Sequence, residues 1–257
     1  MTACGRCGGT VAPDGHCWDC GADQPAFRSH FEVTAPGAAG VSDRGHRRSL
    51  NADAMMLTMT GPWTIGVVCD GVSLSPRAER AAQLAADTGA AVLAARLDAG
   101  DIPETAHEQA ASRAADAVTA LAIPDSELSP STTYVAGVSG PDGIWVAWIG
   151  DSRAYWLPDE GPGMALTTDD TAPNEALSSW LGADADTPSP QGRSYRPPSP
   201  GSLLLCTDGL WRYLPEPTAL RAELDGEDPL PSARALVTYA LNAGGHDNVT
   251  ALIMRGG

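Results

Sequence analysis

Three apolar runs in this chain each end on an aspartate: Val67-Val68-Cys69-Asp70-Gly71, Trp148-Ile149-Gly150-Asp151-Ser152 and Leu205-Cys206-Thr207-Asp208-Gly209. A fourth aspartate, Asp247, stands in Gly245-His246-Asp247-Asn248, just before a last apolar run. Such runs read as buried strands. A single Asp-Gly at a strand end is an ordinary turn. Four carboxylates at the ends of buried strands, spread along the chain, are unfavourable unless something positive binds them. Converging carboxylates with a backbone carbonyl and water are the usual surroundings of a hard divalent cation such as magnesium or manganese.

The pattern around these runs alternates between strands and helices. Residues 54–60 (AMMLTMT) and 63–69 (WTIGVVC) read as two strands joined at Gly61-Pro62, a hairpin signal. After Pro76, Ala81, Leu84, Ala85, Thr88, Val92 and Ala95 fall at helical spacing, and Gly100 ends the helix. A second helix is expected from about 103 to 121, with Pro103 in its first turn. Residues 132–139 and 144–149 form another expected hairpin around Gly140-Pro141-Asp142-Gly143, followed by a strand at 153–157. Residues 203–206 read as a buried strand, 231–242 as a helix and 249–254 as a closing strand. The proline-rich stretch 171–200 is expected to be loop with a short helix at 174–181, and residues 158–163 and 183–200 to be flexible surface loops. Grouped hairpins separated by helices favour an α+β fold, with antiparallel sheets covered by helices outside. Abundant alanine with only 5% aromatic residues points to helices packed closely against a sheet.

Residues 1–24 stand apart as a candidate zinc ribbon, with the larger domain spanning 27–257. Four of the six cysteines lie in Cys4-x2-Cys7 and Cys17-x2-Cys20, nine residues apart. A segment this short and poor in apolar residues needs a staple to fold. Two CxxC pairs at this spacing signal a structural zinc ion, with iron or a redox dithiol pair as the alternatives. Glycines at 5, 8 and 21 suit tight knuckles that turn backbone amides toward sulfur. His16 reads as a bystander, since four thiolates already saturate a tetrahedral ion. Cys69 and Cys206 lie in apolar runs and read as core residues.

The net charge of -16 argues against nucleic acid or an anionic membrane as partner. Only Arg6 is basic within residues 1–22, so the ribbon reads as a protein-docking module. No apolar run approaches the roughly 20 residues of a membrane-spanning helix, and no secretory pattern is visible at the N-terminus. A cytoplasmic location is expected.

Further motifs accompany the aspartates in a fixed order. Asp43-Arg44-Gly45 and Arg48-x-x-Asn51-x-Asp53 come first, then Asp70-Gly71-Val72-Ser73. Gly150-Asp151-Ser152-Arg153-Ala154-Tyr155, Leu166-Thr167-Thr168-Asp169-Asp170 and Leu181-Gly182 follow. Cys206-Thr207-Asp208-Gly209-Leu210-Trp211 and Asp247-Asn248-Val249-Thr250 complete the series. In this series the chain, from about 27 to 255, resembles the metal-dependent serine/threonine protein phosphatases of the type 2C family.

The resemblance implies an α-β-β-α sandwich and a phosphatase acting on phosphoserine and phosphothreonine in substrates of Ser/Thr kinases. It implies two manganese or magnesium ions, with a third as an option, and hydrolysis by a water that the ions activate. Asp70 would bridge two ions, joined by the Gly71 carbonyl, and Asp208 and Asp247 would complete the first ion's ligands. Asp151 with Asp208 would serve the third, weaker position. Arg48 would hold the phosphate, and Asn51, Asp53 and Asn248 would orient waters and loops around the ligands. Four departures stand out: Ala52 where the family usually carries Glu, Val72 where some members carry His, Ser73-Leu74-Ser75 where a glycine-rich stretch is expected, and Asp170 where His is expected. Ala52 offers no ligand to the second ion. An inactive relative that binds phosphoprotein, and an adaptor working through the ribbon, are the competing classes. His46, His107 and His246 need no catalytic role.

Overall fold

The computed structural model describes residues 4, 6–11, 16–22, 29–122, 124, 126, 128–173, 176–185, 189–224 and 226–256. Strands β1 (His30–Ala35) and β2 (Ala38–Asp43) fold back on each other, and β3 (Asp53–Thr60) and β4 (Trp63–Asp70) form the hairpin expected at Gly61-Pro62. Helices α1 (Ala78–Asp98) and α2 (Pro103–Thr119) follow. Then come β5 (Ser131–Thr132), β6 (Tyr134–Gly140), β7 (Gly143–Ile149), β8 (Arg153–Pro158), β9 (Met164–Ala165), β10 (Leu181–Gly182), β11 (Gln191–Tyr195) and β12 (Gly201–Cys206). The chain closes with α3 (Asp208–Trp211), α4 (Pro217–Ala222), α5 (Pro229–Asn242) and β13 (Val249–Gly256).

Every strand pair is antiparallel. One sheet runs β1-β2-β13-β12-β8-β9, the other β11-β7-β6-β4-β3, and β10 pairs with β5 in a small third sheet. The inner faces of the two large sheets meet through Met55, Val68, Val135 and Trp148 on one side and Trp156, Leu203, Leu205 and Leu252 on the other. The outer face of the second sheet carries Ile65, Val67, Cys69 and Ala136 against an alanine-rich layer from α1 and α2 that includes Ala81, Ala85, Ala110 and Ala114. The outer face of the first sheet packs Leu204, Cys206, Val249 and Ile253 against Leu236, Val237 and Ala240 of α5. This is the α-β-β-α sandwich. Because both faces of each sheet are covered, the central strands are apolar throughout, without the alternation of a half-exposed strand. Alanine along α1 and α2 lets the helices approach each other and the sheet closely.

Two expectations are corrected. Residues 183–200 are not all surface loop, since Gln191–Tyr195 forms β11 on the edge of the second sheet, paired with Trp148 through Ile144. That strand, Gln-Gly-Arg-Ser-Tyr, is largely exposed and has no apolar face to announce it. The short helix expected at 174–181 is absent from its described part: residues 176–180 carry no helix, and Leu181-Gly182 pairs with Thr132 and Ser131. Residues 174 and 175 lie outside the described residues. Strands β1 and β2, unassigned from the sequence, supply the edge of the first sheet.

In the N-terminal segment Cys4, Val11 and Cys17 are buried together, and Val11 bridges Cys17. His16 lies outside the group of four cysteine sulfurs, and its Nε2 is 3.6 Å from Oε1 of Glu79 in the first turn of α1. No helix among the described residues is long and apolar enough to cross a membrane.

Candidate metal centre and active site

The strand registers bring the sequence-predicted aspartates to one end of the sandwich. Asp53, which opens β3, sits opposite Asp70, which closes β4. Asp208 and Asp247 lie two residues beyond the paired ends of β12 and β13, and Asp151 two residues before β8, which flanks β12. Antiparallel pairing makes this inevitable: the end of one strand lies beside the start of its neighbour.

Side-chain bonds fix the backbone around Asp70. Its N–H donates to Thr133 Oγ1 at 3.0 Å, and its carbonyl accepts from Thr132 Oγ1 at 2.8 Å and from the Thr133 N–H at 2.9 Å. A Cβ on Gly71 would lie 2.6 Å from the Ala78 carbonyl oxygen and 2.8 Å from that of Ala52, so only glycine fits after Asp70. Across the site, Asn248 gathers the loop between β2 and β3. Its Nδ2 donates to the carbonyls of Arg44 at 2.8 Å and Leu50 at 2.9 Å, and its Oδ1 accepts from the Ala52 N–H at 2.8 Å.

Asp53 is buried in a chain of hydroxyls. Its Oδ2 accepts from Thr207 Oγ1 at 2.8 Å and Thr250 Oγ1 at 2.7 Å. Thr250 Oγ1 lies 2.8 Å from Ser42 Oγ, which accepts from Asn51 Nδ2 at 2.9 Å, while Asn51 Oδ1 accepts from the Asp53 N–H at 3.2 Å. This network ties β2, β3, β12 and β13 together beneath the aspartates. Sequence reasoning named Asn51 and Asp53 but gave no role to Ser42, Thr207 or Thr250. The signal was present: a hydroxyl residue stands directly before Asp208 and three after Asp247.

Cationic groups border the cluster. Arg48 grips Asp247 with both arms, Nε to Oδ1 at 2.7 Å and Nη2 to Oδ2 at 2.5 Å. Arg212 Nε donates to Asp208 Oδ2 at 2.8 Å. Arg153 is forked onto Asp169 by two bonds of 2.8 Å and lies 3.6 Å from the centre of the Trp211 ring, whose Nε1 donates to the Asp151 carbonyl at 2.9 Å. Arg153, Asp169, Trp211 and Arg212 were also not assigned from the sequence. They surround a cavity of about 340 Å³ beside Asp151.

The negative charge outweighs these cations. Burial pushes the Asp70 carboxyl well above the usual carboxylate range, and Asp53, Asp208, Asp151 and Asp247 push it further. Burial also raises Asp53 to about 7, against its two hydroxyl bonds, with Asp208 and Asp247 adding to the rise. Asp151 is raised to about 6, first by burial and then by Asp208 and Asp169. Among the described residues no hydrogen bond or ion pair reaches the Asp70 carboxylate. The Oδ1 atoms of Asp53 and Asp208 are buried without a partner.

A sequence profile described as Protein phosphatase 2C matches residues 42–241. The chain belongs to the protein phosphatase 2C family. Solved structures agree with the family assignment. The catalytic domain of the serine/threonine protein phosphatase PstP, solved with two manganese ions, is 26% identical with a TM-score of 0.65, over 86% of this chain and 98% of that one. The Mycobacterium tuberculosis serine/threonine phosphatase PstP/Ppp is 25% identical, with a TM-score of 0.66 over 84% of this chain and 96% of that one. A serine/threonine phosphatase from Staphylococcus aureus shares the fold at 22% identity, with a TM-score of 0.72 over 88% of this chain and 97% of its own. A comparison with individually curated proteins finds no match.

The donor set of this protein phosphatase 2C chain suits hard divalent cations. It consists of carboxylates and a backbone carbonyl; burial first and neighbouring carboxylates second raise Asp70 and Asp151, and among the described residues Asp208 Oδ1 is buried without a partner. Ala52, half-buried between Asn51 and Asp53, adds no oxygen donor from its side chain.

The N-terminal cysteines form a second candidate metal site. The four Sγ atoms lie within 4.8 Å of one another, with Cys7 and Cys17 at 3.5 Å and Cys4 and Cys20 at 3.8 Å. A tetrahedron with 2.3 Å zinc–sulfur bonds has edges of about 3.8 Å. The Arg6 N–H points to Cys4 Sγ at 3.3 Å and the Gly9 N–H to Cys7 Sγ at 3.4 Å, the knuckle bonds expected of thiolate ligands. Burial would raise the Cys4 thiol, but the backbone amides of Cys7 and Arg6 and the neighbouring thiols outweigh it and bring it down to about 7. By contrast Cys69 and Cys206 are core residues whose thiols burial holds well above their usual range. Of the histidines, His107 is buried between α2 and β7, held neutral by burial with a pKa near 4, and His246 places its ring beside Tyr213 at 6.2 Å.

Proposed function

We propose that this chain hydrolyses phosphoserine and phosphothreonine in proteins, using manganese or magnesium held by Asp70, the Gly71 carbonyl, Asp208 and Asp247, with Asp151 and Asp208 serving a third position. The observation that carries the reading is Asp70, a half-buried carboxylate ringed by four others, with no cation in contact among the described residues. When bound, the divalent ions supply Lewis acidity, which lowers the pKa of water toward neutrality, and they offset the charge of a phosphoryl group.

The chain's own residues prepare for that chemistry. Thr132 and Thr133 lock the Asp70 backbone, and Asn248 holds Ala52 beside Gly71, so the ligand set is rigid before substrate arrives. Arg48 commits two of its N–H groups to Asp247. The remaining donors of the planar guanidinium supply a fork for phosphate oxygens. The hydroxyl network around Asp53 keeps a buried carboxylate near the ligands without placing its charge in solvent. No side chain in this reading is a nucleophile; attack on phosphorus is by water, and positioning and electrostatics supply the rate.

The ribbon is read as a zinc-stabilised docking module for protein partners, spanning 1–24 beside a phosphatase domain at 27–257.

Purified protein assayed on a phosphothreonine peptide and on p-nitrophenyl phosphate tests the reading, with manganese, magnesium or EDTA, beside Asp208→Ala. Metal-dependent turnover abolished by the substitution is expected. A second reading, phosphoprotein binding without hydrolysis, rests on Ala52 in the place where the family usually carries Glu. A folded protein that binds the peptide but turns over neither ester at any metal concentration would establish that reading instead.

A further inference from the structure

Apolar side chains gather in one groove at the rim of the carboxylate cluster. Leu74 is 86% exposed and Leu128 is 55% exposed, and both line a groove of about 220 Å³ with Val72, Leu177 and Trp180. Leucine this exposed is commonplace when scattered; two converging with a tryptophan on one groove mark a contact surface. The volume falls below the roughly 300–1,000 Å³ of pockets that enclose whole small molecules. It suits a single large side chain.

The groove is continuous with the site through the backbone. Val72 follows Gly71, and its N–H donates to the Ser131 carbonyl at 3.0 Å. Ser131 precedes Thr132, which bridges Gly71 and donates to the Asp70 carbonyl at 2.8 Å. Ser75 Oγ pins the loop, donating to the Val72 carbonyl at 2.9 Å and accepting from the Ser131 N–H at 3.2 Å. On the far wall, Trp180 Nε1 donates to Asp184 Oδ1 at 3.1 Å, which fixes the indole. The loop closes on Arg77, held at φ 55° immediately before α1, the one non-glycine residue with positive φ among those described. The walls are therefore built before anything binds, which reduces the ordering cost of an occupant.

We propose that this groove takes one apolar side chain of the phosphoprotein substrate, from a residue close in sequence to the phosphorylated one. The inference rests on the phosphatase reading for the place of the phosphate, and it names the substrate class: phosphoserine or phosphothreonine flanked by leucine, methionine or a residue of similar bulk. Val72 and Ser131 adjoin the aspartates, so a chain bound with its phosphate there has one exit over this rim. Val72 stands two residues after Asp70, and an extended peptide advances about 3.3 Å per residue, so a neighbour within about four residues spans that separation. The net charge of -16 supports an apolar rather than an acidic anchor.

The test uses the full-length protein and a set of fluorescent phosphothreonine peptides in a Gly/Ser background, each with one leucine placed within four residues of the phosphate. Peptide affinity is read by anisotropy, and turnover of peptide and of p-nitrophenyl phosphate in parallel. At one or two positions leucine should tighten binding about tenfold and lower KM more than it changes kcat. Leu74→Ser combined with Leu128→Ser should erase that gain and leave p-nitrophenyl phosphate hydrolysis unchanged. Leucine-dependent binding without turnover of either ester would uphold the groove and refute the hydrolase reading. Equal binding at every leucine position, or a gain that survives the double variant, would overturn the inference. A double variant that changes the oligomeric state by light scattering while peptide affinity holds would assign the groove to a second copy of the chain, and would overturn it too.

Discussion

Replacing Asp53 by asparagine should make the metal-free protein more stable at alkaline pH, although Asp53 is buried and doubly hydrogen-bonded. Burial raises its carboxyl from 3.8 to about 7, the hydroxyls of Thr250 and Thr207 oppose the rise, and Asp208 and Asp247 add to it. Because the folded-state pKa is raised, the folded protein keeps a proton between about pH 4 and 7 that the unfolded chain has released. Stability from this group therefore falls as pH rises through that window, and the cost is fully present above 7. A rise from 3.8 to about 7 corresponds to a ceiling of about 4 kcal/mol at pH 8. The amide of Asp53→Asn preserves shape, and a threonine hydroxyl can turn to accept from it, so the network keeps its bonds. Urea unfolding in EDTA should show the variant more stable by about 2–4 kcal/mol at pH 8, with the gap closing near pH 4. Manganese should narrow the gap at pH 8, since a cation among the aspartates favours ionised Asp53. A variant less stable than the wild type at pH 8, or a gap independent of pH, would refute the reasoning.

Two further outcomes concern the buried Tyr134 and the ribbon cysteines. Tyr134 is wholly buried and its hydroxyl lacks a hydrogen-bond partner among the described residues, so Tyr134→Phe should stabilise the fold by about 1 kcal/mol in thermal or urea unfolding. A loss of stability instead would mean the hydroxyl is satisfied. Cys7→Ser with Cys20→Ser should reduce bound zinc from about one per chain to none by atomic absorption. The same variant should leave p-nitrophenyl phosphate turnover intact; its disappearance would make the ribbon part of the catalytic unit.

Much of the sandwich was legible in the sequence because its central strands are covered on both faces. Residues 63–69 and 203–206 had to be apolar throughout, and such runs are visible without any partner. The first long helix announced itself through alanine and other small or apolar residues at helical spacing, and the second through Pro103 in its first turn. Strand β11 did not, because Gln191 to Tyr195 is an exposed edge whose strand state comes from backbone pairing with β7. Strands β1 and β2 escaped for a related reason: β1 is only half covered, and Ala38, Ala39 and Gly40 are small where the sheets press close.

The candidate site divides in the same way. Aspartates at strand ends can be read one by one, since each interrupts an apolar run. The sequence by itself determined the covered strands, the alanine helices, the cysteine pairs and the identity of the carboxylates. Only the tertiary structure decided that Ser42, Thr207 and Thr250 form one hydroxyl chain under Asp53, and that Arg48 grips Asp247 from 199 residues away. It alone placed Leu74 and Leu128 on one groove and His16 against Glu79. The physical reason is range. Burial and backbone periodicity act locally and leave a pattern along the chain, whereas a hydrogen bond or an ion pair between distant residues leaves none until the strands that carry them are paired.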